Sequence, residues 1–285
     1  MTGVQTCALP ISNVATRAWT HVADAFDRRD VDGLLALANP ESRYEDRRKG
    51  LRDIVEGSLR RKSLDVMFET VPSSWRMEVE PIAIRGSRLS LTRGCYRDVD
   101  DADRPIAVEL LHVIELDDAD LMRNIVSFDP ADLDDAFAEL TARWIASGEV
   151  AYPEPIEAVD RINATINRHD WDAVATHFAG AEYVNHRQLA QAVNGTIADW
   201  LSSMQTTGSL VPNFWVELAE VLARSAIGIV ERLALKGTST DGVAIEISFV
   251  VLILLHGERV TRLEVFEEDQ RDVALSRLQE LNRPV

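Results

Sequence analysis

The sequence predicts an α+β chain made of two tandem copies of one module. Each copy has three N-terminal helices packed on a curved antiparallel sheet and a further helix after its last strand. Two observations predict this: an internal repeat with a period of about 140 residues, and a change from helical to alternating hydrophobic spacing at the same place in each copy. Phe26-Asp27-Arg28-Arg29-Asp30-Val31-Asp32 answers to Ile166-Asn167-Arg168-His169-Asp170-Trp171-Asp172, in each case the end of one helix running into the Asp-capped start of the next. Tyr44-Glu45-Asp46-Arg47-Arg48 answers to Tyr183-Val184-Asn185-His186-Arg187. Farther on, Trp75 is matched with Trp215, Arg93 with Arg232, Glu109 with Glu246 and Phe128 with Phe266.

In the first copy the spacing predicts helices over Val14 to Asp27, Val31 to Leu37 and Ile54 to Thr70, with a short strand from Arg43 to Arg47 between the second and third. Four strands follow, near Trp75 to Ala83, Arg88 to Arg97, Ile106 to Leu116 and Leu121 to Phe128. Hairpin signals fall between them, at Arg85-Gly86-Ser87 and Asp117 to Asp120, and again in the second copy at Thr240-Asp241-Gly242 and His256-Gly257-Glu258. Asp132 to Ala146 and Asp269 to Leu281 are the closing helices, each led by acidic residues that suit a helix N-terminus. Gly148 to Pro155 holds a glycine, two prolines and no periodicity, which reads as a linker. The expected divisions are therefore a leader over residues 1–12, a first domain over 13–147, a linker over 148–155 and a second domain over 156–285.

The leader stands apart. Thr2 to Ile11, TGVQTCALPI, is what a common sequencing-adapter oligonucleotide encodes in one frame, so native sequence is expected from near Asn13, with an upstream extension left open. Arginine supplies all but three of the 30 basic residues, a skew typical of a GC-rich bacterial genome. A net charge of −17 disfavours nucleic acid and anionic membranes as partners, because both are bound through clustered basic side chains. No run reaches the roughly 18 apolar residues of a membrane span. With Cys7 in the leader, Cys95 stands alone and permits neither a disulfide nor a CxxC metal site, which fits a reducing cytoplasm. No metal or cofactor is expected: the histidines lack ligand spacing, and glycine-rich phosphate loops, GxSxG and HExxH are missing from the sequence.

Strand alternation selects the candidate site residues. Leu89, Leu91 and Arg93 share one face, and Arg93 is expected to pair with Glu109 on the next strand; Arg232 and Glu246 are the matching pair. Such a pair is either structural or orients a ligand on a pocket wall. Tyr44, Asp46 and Arg48 share a face of the short strand, as do Tyr183, Asn185 and Arg187. Trp75 and Trp215 open the meanders as core or pocket floor. His112 lies three residues from Glu109 and so on the opposite face, which disfavours a His-Glu dyad.

With Tyr on the short strand and Trp opening the meander, this order of elements resembles the NTF2-like superfamily, specifically its SnoaL-like branch, over nearly all of both copies. The resemblance implies a hollow between helices and sheet, and a function among ketosteroid isomerases, polyketide cyclases, epoxide-hydrolase-like enzymes, dehydratases and non-catalytic binding modules. For an enzyme it implies Asp46 as base, with Tyr44 and Arg93 stabilising an anion; Asn185 lacks the basicity for the same part in the second copy. Three functions are expected in order: a module binding a small apolar molecule through Trp75, Glu109, Tyr183, Asn185, Trp215, Arg232 and Glu246 as a sensing or interaction part of a larger bacterial signalling protein; a cofactor-free acid–base enzyme; and a structural pseudo-dimer without ligand. The two copies are expected to associate through their sheets within one chain, with a homo-oligomer left open.

Overall fold

A computed structural model describes residues 11–57, 59–100, 107–187 and 195–282. The expected leader through Pro10 and the expected strand start at Ile106 lie outside them. The chain divides into two compact units between Glu149 and Val150.

In the first unit α1 (Val14–Asp27) opens with a capping box. Asn13 Oδ1 accepts from the Thr16 amide at 3.0 Å, and Thr16 Oγ1 accepts from the Asn13 amide at 2.9 Å. The Asn13 side-chain Nδ2 donates to the Gly86 and Leu89 carbonyls, fixing the helix start to a hairpin turn. After α2 (Val31–Ala36), capped by Asp30, come β1 (Ala38–Asp46), β2 (Asp53–Glu56), α3 (Leu59–Thr70), β3 (Trp75–Arg85), β4 (Leu89–Asp98), β5 (Ala107–Leu116), β6 (Met122–Phe128) and α4 (Leu133–Ala146). The strand order is β2-β1-β6-β5-β4-β3, antiparallel except for the β1–β6 pair. Two helical layers cover this sheet. α1 buries Trp19, Val22 and Phe26 on the inner face, while α4 packs on the outer face of β3 to β5 and buries Leu140 and Trp144.

Two elements differ from the sequence expectation. The first strand begins at Ala38 rather than Arg43, in spite of Pro40, because a bulge between Ala38 and Arg43 takes the proline out of the ladder. Ile54 to Glu56 is strand, not helix, and pairs with Arg43 to Glu45. Gly57 then turns the chain with φ of +49°, a conformation other residues resist, and the helix starts only at Leu59.

The second unit runs α5 (Pro153–Asn167), α6 (Trp171–His177), β7 (Glu182–Asn185), α7 (Ile197–Leu210), β8 (Trp215–Ser225), β9 (Gly228–Thr238), β10 (Ala244–His256), β11 (Arg259–Phe266) and α8 (Arg271–Leu281). Its strand order is β8-β9-β10-β11-β7, with β7 parallel to β11. α8 packs on β9 and β10, as α4 does on the first sheet. No helix among the described residues is long and apolar enough to cross a membrane.

Strand registers revise two of the repeat pairings. Met77 lies opposite Tyr96 and Val216 opposite Leu235, so Trp75 corresponds to Phe214 and Trp215 to Arg76. Cys95 faces Glu109 while Ala234 faces Ser248, so Glu109 corresponds to Ser248. A one-residue slip reverses the face of a strand residue, which decides where Trp215 points.

Candidate functional site

The first unit encloses a cavity of about 510 Å³ between α1, α3 and the inner face of its sheet. Its wall is mostly apolar, with Trp19, Val22 and Phe26 from α1, Met67 from α3, and Trp75 and Tyr96 from the sheet. Along β5 the inward residues are Val108, Leu110 and His112.

A polar row crosses this wall. Ser127 on β6 lies opposite both Asp46 on β1 and His112 on β5, so the three side chains share a face. His112 Nδ1 is 2.9 Å from Ser127 Oγ, and its ring lies 4.9 Å from that of Trp19. The imidazole is 2% exposed; burial, aided by the Arg48 charge, pushes its pKa down to about 3 and keeps it neutral. Arg48 grips Asp46 from Nε at 2.9 and 3.1 Å and from Nη2 at 2.6 Å. Burial alone would raise the Asp46 pKa, but these bonds outweigh it and hold the carboxyl below its ordinary value. The Tyr44 phenol, within hydrogen-bonding reach of Ser127 and Asp46, is raised above its ordinary value mainly by burial and stays protonated.

Because a carboxylate only accepts, the consistent proton assignment runs from Tyr44 O–H to Asp46, from Ser127 O–H to Tyr44, and from His112 Nδ1–H to Ser127. This leaves His112 Nε2 with a free lone pair. Nε2 has no partner among the described residues, and neither has Trp19 Nε1–H, although Trp19 is only 4% exposed. Trp19 and His112 both line this cavity, and each keeps one buried polar atom unsatisfied among the described residues, a costly arrangement unless a guest or water completes it. Gly94 makes room for the imidazole: a Cβ there would sit 3.0 Å from His112 Nε2. Gly94→Val is therefore expected to displace the ring and cost about 1–2 kcal/mol by overpacking, read as a shifted denaturant midpoint.

The site residues expected from sequence are distributed unequally. Tyr44 and Trp75 line the first cavity, and Asp46 lies beside it, tied to Arg48, whose side chain is part of the lining. Arg93 and Glu109 lie on the opposite face of the sheet from Tyr96 and His112. Arg93 Nη1 bonds Glu80 at 2.8 Å rather than Glu109, which is exposed, so the expected Arg93–Glu109 pair does not form and Arg93 has no access to the cavity. In the second unit Arg232 pairs with Glu268 at 2.8 Å, Glu246 lies 3.7 Å from Lys236, and Trp215 points away from the cavity; the Arg232–Glu246 pair does not form either. The physical reason is that both faces of these strands are apolar, one under α1 and α3 and one under the closing helix. Alternation separates the faces without saying which helix covers each. Sequence reading passed over Trp19, Ser127 and His112 as site residues. The parity of His112 against Glu109 was the available signal.

The second unit holds a cavity of about 480 Å³, lined by Tyr183, Asn185 and Arg187 together with Asn163 of α5. Here Val251 and Val265 stand opposite one another where His112 and Ser127 stand in the first unit, and Asn185, opposite Val265, replaces Asp46. The titratable row is gone; the tyrosine and the arginine remain. Burial raises the Tyr183 pKa, with the Arg187 charge opposing. Among the described residues no group of three or more His, Cys, Asp or Glu side chains is placed to hold a metal ion.

No family model matches this sequence, and no curated protein does. Solved structures similar to it include an NTF2-like protein of unknown function from Burkholderia pseudomallei, at 12% identity and a TM-score of 0.34, covering 46% of this chain and 98% of that one. AusH from Aspergillus nidulans is similar at 14% identity and a TM-score of 0.38, over 41% of this chain and 84% of its own. A Catenulispora acidiphila protein with a ketosteroid isomerase-like fold, solved in complex with trimethylamine, gives 19% identity and a TM-score of 0.32, over 39% of this chain and 84% of its own. Likenesses this distant carry no weight for function.

Proposed function

We propose that each unit is a cone of the NTF2-like kind whose hollow binds a small, largely apolar molecule, and that the guest of the first unit carries a hydroxyl group. The observation that supports this is the pair of unsatisfied buried atoms in one apolar cavity: Trp19 Nε1–H needs an acceptor and His112 Nε2 needs a donor. An alcohol or phenol supplies both from one oxygen. A ketone or ether supplies only the acceptor. The sequence resemblance adds the setting, a sensing or interaction part of a larger bacterial signalling protein.

The competing reading is cofactor-free acid–base catalysis with Asp46 as base. General bases work best with a pKa near the working pH, whereas Asp46 is held below the ordinary carboxylate value and His112 near 3. Both are weak bases here, which favours binding. The test is Asp46→Asn, assayed for turnover on ketones, epoxides and polyketide mimics and for thermal stabilisation by phenolic probes. Binding predicts that the stabilisation persists and that wild type and variant are equally inert. Turnover by the wild type that the variant loses would replace binding with catalysis.

A further inference from the structure

In the second unit the strand that carries the site differs from its counterpart by one decisive exchange. In the first unit the arginine after the short strand is neutralised by Asp46. In the second, Arg187 N and Nε donate to Asn185 Oδ1 at 3.1 and 3.3 Å, so the geometry of the grip survives while the negative charge does not. No carboxylate lies within ion-pair distance of Arg187 among the described residues. Its guanidinium stands 5.8 Å over the Phe249 ring, on the wall of the second cavity. A guanidinium facing an apolar hollow without a counter-charge is costly, and an anionic guest removes that cost.

A second observation points the same way. Asn163, 8% exposed, lines the cavity from α5, and its Nδ2 has no partner among the described residues. Two sets of donors, Arg187 and Asn163, therefore serve one cavity whose remaining wall is supplied largely by aliphatic and aromatic side chains such as Leu233, Ile247 and Val251. One carboxylate, Asp199, also lines it. It is committed to the start of α7, where its Oδ2 accepts from the Thr196 amide at 2.7 Å and from the Thr196 hydroxyl at 2.8 Å.

We propose that the second cavity is a receptor for an amphipathic monocarboxylate, its carboxylate on Arg187 and Asn163 and its apolar body in the hollow. The two cavities then select different guests: a neutral hydroxyl compound in the first and an anion in the second. The proposal rests on the reading that the hollows take small apolar guests.

Decanoate and decanol are the probes, titrated by calorimetry into the full chain carrying Trp19→Phe and His112→Phe, which remove the hydroxyl partners of the first cavity. This chain serves as the reference wild type at Asn185 and Arg187, with the further variants Asn185→Asp and Arg187→Met. Asn185→Asp restores the Asp–Arg pair of the first unit and so keeps the fold; circular dichroism and the melting midpoint check both variants. The expected result is decanoate binding at least tenfold tighter than decanol in the wild type, with that preference abolished in both variants while decanol binding is retained. Equal or weaker binding of decanoate, or a preference that survives Asn185→Asp and Arg187→Met, overturns the anion site but leaves apolar guest binding standing. Failure of both probes to bind the wild type overturns the anion site and the guest-binding reading of this unit together.

Discussion

At pH 4 the first unit is expected to be about 3 kcal/mol less stable than at pH 7 through His112 alone. Unfolded, an imidazole takes up a proton below an ordinary value near 6.5. Folded, His112 is buried against Trp19 beside the Arg48 charge and stays neutral down to about 3. Between those values the unfolded chain holds the extra proton. Stability is thus fully present above the unfolded value, falls as the pH falls through the window, and loses nothing more from this group below about 3. Asp46 adds an acid loss of its own at lower pH, because its folded pKa is depressed and its stabilisation goes as the carboxyl protonates. Denaturant melts of the wild type and His112→Gln from pH 7.5 to pH 4 isolate the histidine, since glutamine does not titrate and can still bond Ser127. The two stabilities should converge or cross as the pH falls; parallel profiles would show that the ring is solvated.

Arg48→Met is expected to cost about 3 kcal/mol, and Asp46→Asn about 1 kcal/mol. The asymmetry follows from which charge is left behind. Asp46 is 7% exposed, and removing Arg48 takes away both the ion pair and the bonds that offset its desolvation. Removing the carboxylate instead leaves a longer, more exposed arginine, and the second unit already shows an amide in that place accepting from Arg187 N and Nε. Urea midpoints of the two variants test the order. If Asp46→Asn proved the more damaging, the carboxylate would be holding Tyr44 and Ser127 more than it holds Arg48.

Much of this site was legible in the chain because short strands alternate cleanly. Tyr44 with Arg48, and Tyr183 with Asn185 and Arg187, were placed on one face by parity alone, and the structure puts each group on the wall of a cavity. The exchange of Asp46 for Asn185 was visible in the same way. Other features were hidden for physical reasons. A run such as Ile54-Val55-Glu56 is too short for periodicity to separate strand from helix, and its pairing with β1 decided. The two tryptophans look equivalent by residue type, yet the hydrogen-bonded ladders set them one residue apart and on opposite faces. Arg93 sits among leucines in sequence, but the leucines on its face are buried under α4, not in the hollow. Trp19 and His112 come from elements distant in the sequence, and only the packing of α1 on β5 brings their rings together.

The hydroxyl reading of the first cavity is tested most directly by calorimetric titration with matched pairs of two- and three-ring phenols and their methyl ethers, against the wild type, Trp19→Phe and His112→Phe. Each phenol should bind the wild type at least tenfold more tightly than its ether, about 1.4 kcal/mol or more, and the gap should close when His112 loses its lone pair. Ethers that bind as well as phenols, or a panel in which no member binds, would contradict it.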